Sequence, residues 1–366
     1  VRPARVTPVA TRYANAVHSY HAIPAWSPDG GRLLYLGIDD PTQPGEVVVR
    51  ELDTGRERVV GSTGNYNFHT AAWQMWALGG KAVLFGRGNE EGEEFLMLAP
   101  ADGSGPAREL RGLAGCNVRR MCRDGRRGTG HGPTPRGAAI QMFDLRSESG
   151  ETLVTLDEAL ALYPEEFRDP AAGYGISHAV ANDQETRLFF KVTKYLPGRE
   201  ISYPDWGAFY VKDLPGGELR CLGYRISGHP IWLPDGRHIL NIKNPLDGSD
   251  NRWVVRVDSV TGRDERLFAQ PTEGPGHPAL SPDGRWLLLD GFTADGQTCP
   301  IYLFDMQTGL CREIARLRHL FRGKPYGAPT RGQPHPTWSP DGRKALVNCN
   351  DGGARMGLYI LEDFLP

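Results

Sequence analysis

Apolar residues in this chain fall in short clusters bounded by turn residues, a spacing that predicts β-strands rather than helices. Leu287-Leu288-Leu289 follows the turn "SPDG", then comes the alternating stretch "IYLFDMQTG", then the more polar "CREIA". Ala345-Leu346-Val347 follows a second "SPDG", and "WVVRVDSVTG" leads into "DERLF" in the same way. Pro-Asp-Gly and Thr-Gly are hairpin turns, because glycine takes positive φ at little cost. Each such unit therefore predicts a four-stranded antiparallel meander.

The unit recurs. "PAWSPDGGRLLYL" places its turn aspartate at Asp29, "HPIWLPDGRHILNI" at Asp235, "HPALSPDGRWLLL" at Asp283 and "HPTWSPDGRKALV" at Asp341. The last three lie 48 and 58 residues apart, the size of one propeller blade with its loops. Weaker copies fill the interval after Asp29: "WQMWALGGKAVLFG", a degenerate unit spanning "GCNVRRMCRDGRRG" and "AAIQMFDLRSESGETLVTL", and "SHAVANDQETRLFF". The seventh copy stops after "GLYILEDF", one strand short, while "RVTPVA" near the start has no unit of its own. Pairing that strand into the last blade removes exposed edges, so the expectation is an all-β, seven-bladed propeller forming a single domain over residues 1–366.

Composition narrows the classes. With 46 Gly and 29 Pro in 366 residues the chain suits a large, turn-rich globular protein. A formal net charge of -2 removes the general electrostatic case for nucleic acid. No apolar run approaches the roughly 20 residues that span a bilayer, so a soluble chain without a membrane partner is expected. The compartment, bacterial-type cytoplasmic or periplasmic, stays open. The six cysteines form no CxxC pair and read mostly as buried thiols. The cluster Arg119, Arg120, Arg123, Arg126 and Arg127 reads as a solvated charged face.

Three histidines stand six places before a turn aspartate: His229, His277 and His335, in the fifth, sixth and seventh units. The strand they begin is expected to be innermost, so their imidazoles would lie at comparable depths around one axis. In the second unit that position is Trp73, read as a ring for sugar stacking. Strand alternation would put Arg331, Gln333 and His335 on one face, and imidazole nitrogens with an amide oxygen make a donor set for Mn or Zn. His69 lies on the entry loop of the second unit, and His178 near the inner strand of the fourth. His18, Tyr20 and His21 precede the first inner strand and read either as a surface loop or as groups reaching the channel mouth. Trp76 matches the Trp of "AWSP" and reads as packing.

On these residues, the "WSPDG" units resemble the TolB-type propeller repeat, and the histidine-bearing half, residues 224–350, resembles oligogalacturonate lyase. That resemblance implies β-elimination on an acidic, uronic-acid oligosaccharide with a divalent metal, Mn2+ first, Zn2+ or Ca2+ as alternatives. It implies that "GHP" supplies a proton-abstracting histidine, His229, and that His277 and His335 are metal ligands. The family cluster Gln-x-x-His-x-His corresponds to "TRGQPHP" here, so Thr330 stands for the glutamine and Gln333 for the middle histidine. His178 and Arg225 join His229 as candidate catalytic residues. Lys194, Arg199, Arg331, His69 and Trp73 are candidates for substrate contacts, as is Lys191. The second reading is a non-catalytic TolB-like propeller that binds a protein or glycan. No G-x-S-x-G elbow, Walker loop or dinucleotide fingerprint is present.

Overall fold

The computed structural model describes residues 3–366 apart from 22, 89–93, 136, 196–206, 225–228, 244–252, 269–275 and 321–331. It contains seven four-stranded antiparallel sheets, one per repeat, as a seven-bladed β-propeller. Its compact units are two: Val1–Leu110 with Pro271–Pro366, and Arg111–Gln270.

The first unit carries four blades. Blade 1 runs Asn15–Val17, Arg32–Ile38, Gly45–Glu51 and Glu57–Thr63; blade 2 runs Met75–Ala77, Ala82–Gly88, Glu94–Pro100 and Arg108–Glu109. Blade 6 comprises Pro278–Leu280, Trp286–Asp290, Thr298–Asp305 and Cys311–Arg318. Blade 7 comprises Thr337–Trp338, Ala345–Cys349 and Gly357–Glu362, and Arg5–Pro8 completes it as the outer strand, with Arg5 opposite Glu362 and Pro8 opposite Tyr359. The N-terminal strand thus fills the place the short seventh repeat leaves.

Two repeated devices build these blades. The "SPDG" serine and aspartate lock the turn: Ser281 Oγ donates to Asp283 Oδ1 at 2.5 Å, Trp286 N donates to Ser281 Oγ, and Gly284 takes φ +71°. The conserved-by-repeat tryptophan donates to the neighbouring blade: Trp338 Nε1 to Ala279 O at 2.9 Å, Trp26 Nε1 to Thr337 O at 3.3 Å and Trp76 Nε1 to Ala25 O at 3.1 Å. Trp76 is therefore packing residue and interblade clip at once. Apolar faces fill the space between blades, with Val17, Leu34, Val47, Val49, Phe85 and Met97 in one cluster and Leu288, Ile301, Leu303, Val347 and Leu361 in another. Burying each such side chain is worth about 1.5–3 kcal/mol.

The second unit holds three blades, beginning at Asn117–Met121, Gly173–Ala181 and Ile231–Trp232. Ile140, Ile176, Leu188, Phe190 and Tyr210 form its main core cluster. Its strand pattern is broken by a short α-helix, Leu156–Ala161, opened by a reciprocal capping box between Thr155 and Glu158.

Among the described residues no helix is long and apolar enough to cross a membrane. No cysteine is paired, and Cys116, Cys299 and Cys349 are buried as the sequence suggested.

Candidate active site

Six of the chain's ten histidines lie in the first unit, and five of them, His18, His21, His69, His277 and His335, gather together, two by the repeat. In blade 6, His277 immediately precedes the first strand, and Asp290 closes the second. Asp290 is completely buried. Its Oδ1 accepts from His277 N at 2.5 Å, both its oxygens lie 3.0–3.1 Å from His277 Nδ1, and its Oδ2 accepts from His335 N at 3.1 Å. A carboxylate only accepts, so Nδ1 carries a ring proton. The glycine of "GHP" is there for this contact: a Cβ on Gly276 would lie 2.0 Å from Asp290 Oδ1.

Asn348 holds the same place in blade 7, seven residues after its turn aspartate, and passes the arrangement on. Its Oδ1 accepts from His18 N at 2.9 Å and its Nδ2 donates to Gln333 O at 3.2 Å. His335 has φ +46°, a left-handed conformation, and residues 332–336 form no strand. The alternation expected of Arg331, Gln333 and His335 therefore does not apply. His335 is fully buried while Gln333 is half-buried.

The segment containing His18, Tyr20 and His21 is no surface loop. The first strand of blade 1 starts at Asn15, earlier than the repeat placed it, and is interrupted between Val17 and the Trp26–Leu33 bridge. His18, Tyr20 and His21 fill that interruption and are all buried. His21 Nδ1 lies 3.3 Å from Pro278 O, a group that only accepts, so here too Nδ1 carries a ring proton. His69 is placed by an Asn67 turn, whose Oδ1 accepts from both His69 N and Thr70 N at 2.8 Å.

The rings meet edge to face. His335 lies 4.1 Å, centroid to centroid, from His277, 4.7 Å from His69 and 6.2 Å from His21. His277 lies 5.2 Å from His21 and 6.1 Å from His69. Tyr20 packs among all four, at 4.5–5.9 Å, and Trp73 stands 5.4 Å from it. Neither ring nitrogen of His335 has a hydrogen-bond partner among the described residues. Burial, then the nearby His277, His69, His21 and His18, holds the His335 pKa well below the ordinary imidazole value. Burial alone lowers His18 to about 4. The cluster is thus buried, and within it His335 and His18 are held toward the neutral form.

Such a set fits a divalent cation by donor type. Imidazole suits Zn, Cu, Ni and Fe, and ligating histidines ordinarily donate their second ring N–H to a carboxylate or carbonyl, as His277 does to Asp290 and His21 to Pro278. Both nitrogens of buried His335 await a partner. As the side chains stand, no three His, Cys, Asp or Glu groups among the described residues already converge on one ion position.

The remaining candidates fall elsewhere. Arg199, Arg225 and Arg331 lie outside the described residues. His229, His178, Lys191 and Lys194 belong to the second unit. His229 is buried just before Ile231–Trp232. His178 sits at a bulge between Ser177 and Val180 with φ +56°, which accounts for the one-residue shift in its repeat, and its Nδ1 is 2.9 Å from Ser177 Oγ. Lys191 is buried with its ammonium 5.0 Å from the Phe209 ring, and burial lowers its pKa to about 7. Lys194 is half-buried on the same strand. Asp290 and Asn348 are what the sequence reading missed, and of the two readings of His21 the buried one holds, not the surface loop. The signal for Asp290 and Asn348 was a polar residue seven places after the turn aspartate, in "WLLLD" and "ALVN".

No family model matches this chain, and no curated protein matches it. Solved structures do. An oligogalacturonate lyase in complex with manganese superposes with a TM-score of 0.73 at 16% identity, over 100% of this chain and 95% of that one. An oligogalacturonate lyase from Vibrio parahaemolyticus gives 0.72 at 13% identity, over 98% and 93%. The β-propeller domain of the trilobed protease from Pyrococcus furiosus gives 0.57 at 16% identity, over 96% and 95%. At these identities the likeness is one of fold: this chain is built as a seven-bladed propeller similar to those of oligogalacturonate lyases.

Proposed function

We propose that the protein is a lyase that cleaves a uronic-acid-containing oligosaccharide by β-elimination. The observation that carries this reading is the buried imidazole cluster of His21, His69, His277 and His335, reached from separate blades of a fold similar to oligogalacturonate lyases. A binding propeller has no need of four buried imidazoles packed against one another.

In the elimination, the proton on the carbon beside the uronate carboxylate leaves to a base. The C–O bond one carbon away breaks, a C=C bond forms in the uronate, and the departing oxygen takes a proton. Removing a proton beside an existing anion is the difficult part, since it concentrates negative charge. A divalent cation held by His277 and His335, with Gln333 on the same segment, supplies charge neutralisation at the carboxylate when bound. The chain's own groups do the rest. Asp290 fixes the orientation and tautomer of His277, and the low basicity of His335 keeps it a neutral donor. Half-buried Trp73 offers a ring face for the sugar, with buried Tyr20 and His69 packed behind it. The assignment of proton abstraction to His229, with Arg225 and His178 beside it in role and Lys194, Arg199 and Arg331 as carboxylate partners, rests on the sequence match.

The test is incubation with pectic, alginate, ulvan and glucuronan fragments, with and without added Mn2+ or Zn2+ and after chelation, following the ultraviolet absorbance of the unsaturated uronate. Product formed with one class, lost on chelation and in His335→Gln, is the expected result. Binding of those fragments without product, at every metal condition, would instead make the protein a glycan-binding propeller.

A further inference from the structure

We infer that His21 and His69 complete an all-imidazole metal site with His277 and His335, which selects a borderline cation such as Zn2+ over Mn2+. This rests on reading the cluster as the functional centre, and it goes beyond that reading by adding two ligands and changing the preferred metal. Three observations support it.

The first is spacing. With a metal–nitrogen bond of about 2.0–2.1 Å, a ligating imidazole has its centroid roughly 3.2 Å from the ion, so two ligands at a tetrahedral angle have centroids about 5 Å apart. The five recorded pairs among these four rings span 4.1–6.2 Å, centred on that value. His277 and His21 are held at Nδ1, so bringing the nitrogens to one point, where no three such groups yet meet among the described residues, falls to His335 and His69 turning about their side-chain bonds.

The second is ring orientation. His21 and His277 each set Nδ1 against a protein oxygen, Pro278 O and Asp290, the contact that ligating histidines ordinarily make with their second nitrogen. A structural histidine in the same unit looks different: His319 uses Nε2 toward Gly332 O at 2.6 Å and accepts from Asn350 N on Nδ1. The third is His335, fully buried with no partner for either nitrogen. An ion shared with its neighbours would satisfy it.

The donor chemistry then sets the preference. Thr330 and Gln333 stand where a glutamine and a histidine would be expected, while two further imidazoles enter from blade 1 and the approach to blade 2. Four nitrogens favour Zn2+, Co2+ or Cu2+, whereas Mn2+ is better served by oxygen.

The full chain, stripped by dialysis against chelator, is titrated with Zn2+ in competition with a chromophoric chelator, with Mn2+ by electron paramagnetic resonance, and with Co2+ by visible absorption. Zn2+ should bind at least about 100-fold tighter than Mn2+. Co2+ should give the intense bands of tetrahedral coordination. His21→Gln and His69→Gln should each weaken Zn2+ by about 10-fold or more, and His131→Gln, in the second unit, should leave it unchanged. X-ray absorption of the zinc-loaded native protein counts imidazole shells without any variant, which covers a variant that fails to fold. Absence of Zn2+ binding, Mn2+ as tight as Zn2+, or Zn2+ affinity within twofold of native in both variants overturns the inference. Zinc bound by four imidazoles in a protein that cleaves no uronate would end the lyase reading and leave this one standing.

Discussion

Replacing Asp290 by alanine removes an acceptor that serves two blades. Its carboxylate takes His277 N, His277 Nδ1–H and His335 N, all in a completely buried setting. Alanine leaves three donors without partners and a small cavity. Breaking a buried, charge-assisted arrangement of this kind costs about 3–5 kcal/mol. Unfolding entropy is roughly 2.1 cal/mol/K per residue, so for 366 residues each kcal/mol moves the midpoint by a little over 1 °C, and the expected fall in Tm is about 4–6 °C. Asp290→Asn keeps one acceptor oxygen and the volume, and should lose about half as much. The assay is thermal unfolding followed by tryptophan fluorescence, with urea unfolding as the isothermal check. A shift below about 1 °C in Asp290→Ala would refute the claim that this carboxylate organises both histidine segments.

Two other outcomes follow from the same geometry. Gly276→Ala places a Cβ 2.0 Å from Asp290 Oδ1, so it should destabilise the protein by about 2–4 kcal/mol and lower metal affinity without touching any ligand; native-like stability and affinity would contradict the contact. Lys191 has its folded pKa lowered to about 7 from an ordinary 10.5, so between those values the unfolded chain binds the extra proton and stability contributed by this group rises with pH, by up to about 1.4 kcal/mol per pH unit. Urea midpoints at pH 7.5, 8.5 and 9.5 should therefore climb less steeply, or fall more, in Lys191→Met than in the native protein, and parallel curves would show that the native lysine stays charged.

Much of the fold was legible because a repeat announces itself. The turn aspartates Asp29, Asp235, Asp283 and Asp341 marked four blades outright, and the missing last strand was found by elimination at Arg5–Pro8. The short helix after Thr155 escaped, although "TLDE" carries its capping signal, because the surrounding alternation read as strand. In the site, His277 and His335 were legible from their common offset. His21 was left between a surface loop and the channel mouth, since it lies in an interruption of the first strand that no alternation pattern forecasts. His335 was found for a partly mistaken reason: its positive φ, not strand alternation, sets where the ring goes. Asp290 and Asn348 looked like strand ends, and only the three-dimensional pairing of blade with blade reveals them as the acceptors that hold the histidine backbones.

The most direct test of the central claim is a nuclear magnetic resonance titration of the protein, labelled with 13C at the histidine rings, with a uronate oligosaccharide in the presence of the divalent ion. The chain's ten histidines provide ten probes spread over both units. The account predicts that the ring signals of His21, His69, His277 and His335 shift or broaden together, at one saturation point, while those of His131 and His319 stay in place. Saturable shifts confined to histidines outside that set would contradict it.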